Sequence, residues 1–155
     1  GIAQLTELDG CGANVCLGTD SAASNNSLDM FETMKMASLL QKHHYWKADI
    51  IPTQRMLDFA TINGAKAVGV DSGSIEIGKL ADIIILEPGP NMHPEHDLPS
   101  NLVYSAGPQN VSDVIIDGRC VVRDRRILSV REEDVLASAD RYAGMLSTRK
   151  ASLGA

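Results

Sequence analysis

In the run "VCLGTDSAASNNSLDMFETM", residues 15–34, a carboxylate, Asp20, directly follows a short apolar stretch with the character of a strand and stands among small polar residues. A carboxylate so placed either accepts protons and binds hard cations, or it closes a turn and caps the helix that follows. Asn26 or Ser27 is better placed to cap a helix beginning near residue 28, because Ser and Asn side chains accept from the first free N–H groups of a helix. That leaves Asp20 free for chemistry, with Ser21, Ser24, Asn25 and Asn26 supplying hydrogen-bonding groups around it.

The other residue types capable of chemistry are less well arranged. His43 and His44 end a predicted helix, where positive charge suits the negative pole of the helix dipole. His93 and His96, in "HPEHD", flank a proline in an irregular loop and have no fixed common face, unlike a pair at i and i+4 on a helix. Cys11, Cys16 and Cys120 are odd in number and form no C-x-x-C, so neither a disulfide framework nor a cysteine zinc site is indicated. Cys16 and Cys120 sit in apolar strand-like runs and read as small buried hydrophobes.

The elements that must position these residues fall into two unequal parts. Residues 1–69 alternate helix and strand: "IAQLTEL" has helical spacing, "NVCLG" at 14–18 reads as a strand, and helices are expected over 28–44 and 53–68. The first of these helices carries Leu28, Met30, Phe31, Met34, Met36, Leu39 and Leu40 on a broad apolar face; the second follows Pro52, with Thr53 as its expected N-cap and Gly64 and Gly69 loosening its end. From residue 70 the period changes. "SIEIG" alternates, "ADIIILE" is a β-branched run, and "VSDVIIDGRCVVRDRRIL" reads as two strands around Asp117-Gly118, a strong hairpin signal. "PGPNMHPEHDLPS" is expected to be an irregular loop and "RDRR" at 123–126 a solvated turn. "EEDVLASADRYAGML" forms a last helix whose acidic start suits the positive end of its dipole.

Composition bounds the function. With 155 residues, 44% hydrophobic and 22% charged, the chain has the apolar content of one globular domain rather than a disordered tail. A formal net charge of -6 and the lack of a long Lys/Arg block argue against a nucleic-acid or anionic-membrane surface. No segment approaches the ~20 apolar residues of a membrane span, and no signal-like leader is visible, so a cytoplasmic soluble protein is expected.

One strand flanked by helices cannot bury both of its faces, so these pieces do not make a complete α/β fold. "VCLGTDSAASNNSLDMFETMKMASLLQK", then "ATINGAKAVGVDSGSIEIGKLADIIIL", then "LVYSA" and "VIIDGRCVV", together resemble the C-terminal part of metal-dependent amidohydrolases. Within them, the resemblance is to the S-adenosylhomocysteine/methylthioadenosine deaminases and the triazine chlorohydrolases. It implies a fold of class α/β plus β: the last strand and helices of a (β/α)8 barrel over residues 1–69, part of a composite β-sandwich over 70–130, and a C-terminal helix and tail over 131–155. Residues 1–12 would be the helix after the seventh barrel strand, 14–18 the eighth strand and 28–44 its helix.

Barrel active sites lie at the C-terminal ends of the strands, which would place Asp20 in the mouth. The resemblance implies that this aspartate binds a divalent metal, usually zinc, and takes a proton from the metal-bound water. It also implies two histidines in an H-x-H and a third histidine on earlier strands. This sequence has no H-x-H. The expectation is therefore a piece of a zinc-dependent hydrolase that cleaves a C–N or C–Cl bond on a purine- or triazine-like small molecule. The chain alone would bind no zinc, be inactive, and associate with itself to cover its exposed strands. A non-catalytic remnant that folds by oligomerising is the second expectation, and a small complete enzyme using Asp20, His93 and His96 the third.

Overall fold

The computed structural model describes residues 1–153, with side chains described to residue 148; the last two residues of the expected tail lie outside the described residues. Seven α-helices and four strands follow one another among them: α1 (Leu5–Gly10), α2 (Ala22–Asn25), α3 (Met30–Tyr45), α4 (Thr53–Ala60), α5 (Ile62–Val68), β1 (Ile83–Leu86), α6 (Leu98–Tyr104), β2 (Val111–Ile116), β3 (Arg119–Arg123), β4 (Arg126–Ile127) and α7 (Glu132–Leu153). Two short 3-10 turns, Pro90–Met92 and Pro108–Asn110, flank α6.

The core forms where α3, α4 and α6 meet. Val15, Met34, Ile51, Met56, Phe59 and Val103 are buried together, with Phe31, Leu57 and Tyr104 packed against them. Phe59 and Met56 are fully buried, as expected for the inward face of a short amphipathic helix. Polar residues close the seams. The Ser38 hydroxyl meets the Tyr104 hydroxyl at 2.7 Å between α3 and α6. Arg55 of α4 forms a two-pronged ion pair with Asp9 of α1, its Nε–H donating to Asp9 Oδ2 at 3.0 Å.

Several expectations need correction. The strand foreseen over 14–18 has no regular secondary structure and belongs to no sheet among the described residues, where no neighbouring strand pairs with it. For the same reason Cys16 is exposed rather than buried, while Cys120 is half-buried. The helix foreseen over 28–44 begins two residues later, and its N-cap is Asp29, whose carboxylate accepts the Phe31 N–H at 2.8 Å; Ser27 instead accepts the Asp29 N–H at 3.2 Å. The helix foreseen over 53–68 is two helices, broken at Thr61 (φ -128°, ψ -91°), and Pro52 rather than Thr53 is the first N-cap.

The apolar face of α3 is divided. Met34 turns inward with Ser38 and Gln41, while Met36, Leu39 and Leu40 stay exposed and Leu28, ahead of the helix, is 69% exposed. "SIEIG" forms turns rather than a strand; Ile77 is fully exposed, and Glu76 is held by Lys79 and Ser74. The proline-rich loop also yields α6, which sequence reading left out. Pro99 sits within its first turn and Asp97 caps it, accepting the Ser100 N–H at 3.1 Å.

The β region follows its signals closely. The sheet is antiparallel in the order β1-β2-β3-β4. Asp117 and Gly118, with φ of 49° and 73°, make the tight turn between β2 and β3. Asp124 and Arg125, with φ of 48° and 63°, make the turn foreseen at "RDRR". The connection before β2 is stitched by the buried Asn110 amide, which donates to the Glu87 carbonyl at 3.1 Å and accepts from Asn91 at 2.9 Å.

Candidate active site

Asp20 follows the segment 14–18 in a left-handed backbone conformation, φ 61°, which aspartate tolerates better than bulkier residues. The conformation folds the carboxylate back so that Oδ1 accepts the Ser21 N–H at 2.7 Å. One carboxylate oxygen is thereby oriented by the main chain.

The next residues form α2, a single turn with Ser21 ahead of it and Asn26, at φ 60°, behind it. Together these elements frame an open cleft of about 440 Å³, walled by Gly18 to Asp20, by Ser24 and Asn25 of α2, and by Glu32, Thr33, Met36 and Leu40 of α3. Ser24 and Asn25 therefore stand beside Asp20 as expected. Ser21 and Asn26 are not in the cleft wall: Ser21 supports it through its hydroxyl, 3.2 Å from that of Ser24, and Asn26 terminates α2.

The α3 wall was missed by sequence reading. Glu32 and Thr33 were visible only as the first turn of a helix, and Met36 and Leu40 were assigned to a core face. The exposed side of that helix is what puts a second carboxylate and an apolar floor beside Asp20.

None of the four histidines lines this cleft. His43 and His44 lie in the last turn of α3, their rings against Trp46 and Tyr45 at 5.7 and 4.7 Å, and His93 and His96 are exposed in their loop. Among the described residues no group of three His, Cys, Asp or Glu side chains could hold a metal ion. The cleft holds two carboxylates, those of Asp20 and Glu32, and no histidine or cysteine.

Comparison with known proteins shows the family. A family model described as the amidohydrolase family matches residues 2–121. The 5'-deoxyadenosine deaminase of Methanosarcina mazei is 43% identical over 139 residues, which are 89% of this chain and 32% of the relative. The 5-methylthioadenosine/S-adenosylhomocysteine deaminase of Desulforudis audaxviator is 42% identical over 149 residues, 94% of this chain and 35% of the relative. Among solved structures, an adenosine deaminase from Xanthomonas campestris with bound zinc superposes with a TM-score of 0.89 at 33% identity, covering 93% of this chain and 34% of that one. The chain spans about a third of the length of the relatives it matches.

Proposed function

The chain belongs to the amidohydrolase family, and on that premise we propose that it is the C-terminal piece of a hydrolase that deaminates a purine-like ring, with Asp20 as its catalytic carboxylate. The observation that carries this reading is the placement of Asp20. It follows the segment 14–18, its orientation is fixed by the Ser21 N–H, and it opens onto a cleft with polar walls.

In this reading residues 1–69 close a (β/α)8 barrel, 70–130 belong to a composite β-sandwich, and 131–155 form the C-terminal helix and tail. The segment 14–18 is the eighth barrel strand, whose ladder partners lie in parts of the protein other than this chain. Two relatives named as deaminases, both above 40% identity, favour C–N over C–Cl hydrolysis. The zinc described in the Xanthomonas structure supports a divalent metal in the full-length protein. In this reading Asp20 is the residue of this chain that would hold such a metal, and no step is assigned through the metal.

The chemistry assigned to Asp20 is proton transfer. Water adds across the ring C=N bond at the carbon bearing the exocyclic amine as Asp20 accepts one of its protons. Asp20 passes that proton to the departing nitrogen, which leaves as ammonia, and the second water proton ends on the adjacent ring nitrogen as the carbonyl forms. A carboxylate that lines the cleft, with one oxygen held by a main-chain N–H, suits such a shuttle. In the full-length protein, Asp20→Asn keeps the shape of the side chain and removes its basicity. Turnover is expected to fall by roughly 100- to 10,000-fold with an unchanged melting curve. Retention of more than about a tenth of the turnover would remove Asp20 from this role.

A further inference from the structure

The segment that carries Asp20 has no β-ladder among the described residues, and within this chain other contacts fix its position. Two of them come from the junction of α4 and α5. The Leu17 N–H donates to the Phe59 carbonyl at 2.9 Å. The Asn63 side chain, buried in the first turn of α5, donates Nδ2–H to the Val15 carbonyl at 2.7 Å. Asn14 adds a third tie, donating to the Asn63 carbonyl at 3.0 Å.

The break at Thr61 makes this possible. In a continuous helix the Phe59 carbonyl would accept the N–H of residue 63, four positions on. With α4 ending at Ala60 and α5 starting at Ile62, that carbonyl turns to Leu17, and the Asn63 side chain reaches the carbonyl two residues earlier in the same segment. Val15, buried against Phe59, adds apolar contact between the two ties.

We propose that Asn63 is the positioning residue of this site: with the Phe59 carbonyl it forms a two-point clamp that sets how far residues 15–20 extend, and so where the Asp20 carboxylate stands. This rests on the reading of Asp20 given above. Asp20 is exposed and its hydrogen bonds among the described residues are to its sequence neighbours, Thr19 and Ser21, so its place is inherited from the last points at which the segment is tied to the helices, Val15 and Leu17.

Asn63→Asp tests the clamp at constant side-chain size. When protonated, the introduced carboxyl can donate O–H to the Val15 carbonyl; when ionised, it cannot. In the 155-residue chain at neutral pH, hydrogen exchange of the Leu17 amide is expected to accelerate by roughly tenfold or more, with α3 amides unchanged. In the full-length protein, kcat is expected to fall by roughly 10- to 100-fold with little change in KM, and the ratio of variant to wild-type kcat should rise as pH falls. Asn110→Ala removes a buried amide remote from the segment; it should lower the melting temperature and leave kcat unchanged. Unaltered Leu17 exchange, or a kcat ratio near one and flat with pH, overturns the clamp. If Asp20→Asn leaves turnover intact, the reading of Asp20 fails instead, and Leu17 exchange still decides whether Asn63 holds the segment.

Discussion

Gln41, buried on the inward side of α3, holds the start of the chain by both ends of its amide: Nε2–H donates to the Ala3 carbonyl at 2.8 Å and Oε1 accepts the Leu5 N–H at 3.2 Å. The donor and acceptor of one side chain thus reinforce the main-chain bond where α1 begins, in which the Leu5 N–H donates to the Ala3 carbonyl at 3.1 Å. Gln41→Leu keeps the bulk and removes both side-chain bonds. Thermal or urea unfolding should report a loss of about 1–3 kcal/mol; a neutral result would show that the main-chain bond alone holds the start of the chain.

Gly73 occupies a left-handed conformation, φ 86°, against the junction of α4 and α5, and a Cβ there would lie 2.7 Å from the Ile62 Cα. The obstacle is backbone, so it cannot swing aside. Gly73→Ala should destabilise by about 1–3 kcal/mol from strain alone, and more if the α4–α5 junction shifts. A denaturation midpoint equal to wild type would show that the 69–73 loop relaxes freely.

Arg55 donates to Asp9 through Nε and Nη2, and this hydrogen bonding holds the Asp9 carboxyl below its usual range. Because the folded chain binds this proton more weakly than the unfolded chain, the pair stabilises the fold above the unfolded carboxylate pKa of about 3.9. That contribution is lost as pH falls through the lower folded value. Asp9→Asn should therefore melt below wild type at neutral pH, and the two melting temperatures should converge on acidification below about pH 4. A difference constant with pH would show that the pair contributes nothing through its charge.

The expectation of self-association rests on exposed apolar surface. Met36, Leu39 and Leu40 on α3, Ile84 and Ile85 on β1, and Ile77 before it are all exposed, and the segment 14–18 pairs with no strand among the described residues. Surfaces of this kind are normally covered or paired. Sedimentation equilibrium of the 155-residue chain should find a dimer or larger species, and a deaminase assay with added zinc should find no turnover. A cooperatively melting monomer would show that these surfaces tolerate water and would remove the second reading, a remnant folded by association.

Local chemistry was legible from the sequence wherever neighbours along the chain decide the conformation. Asp117-Gly118 made its turn because both residues accept positive φ, and "RDRR" made the next. The quoted motifs were also sufficient for the family, since their order along the chain is carried by residue identity alone. Helix boundaries were less legible. Asp29 displaced Asn26 and Ser27 as cap, and α6 was hidden by the prolines of its loop although Pro99 suits a first helical turn.

What only the tertiary structure decided was what each face meets. Periodicity places Met34 and Met36 on one helix, but contact with Phe59 and Val103 buries the first, while the second remains at the wall of the Asp20 cleft. Apolar composition suggests a strand at 14–18, but a strand also needs a partner for its hydrogen bonds, and here the Phe59 carbonyl accepts the Leu17 N–H while the Asn63 amide donates to the Val15 carbonyl. The break at Thr61 that frees the Phe59 carbonyl for Leu17 has no helix-breaking residue to announce it; it is a matter of which partner a carbonyl finds in three dimensions.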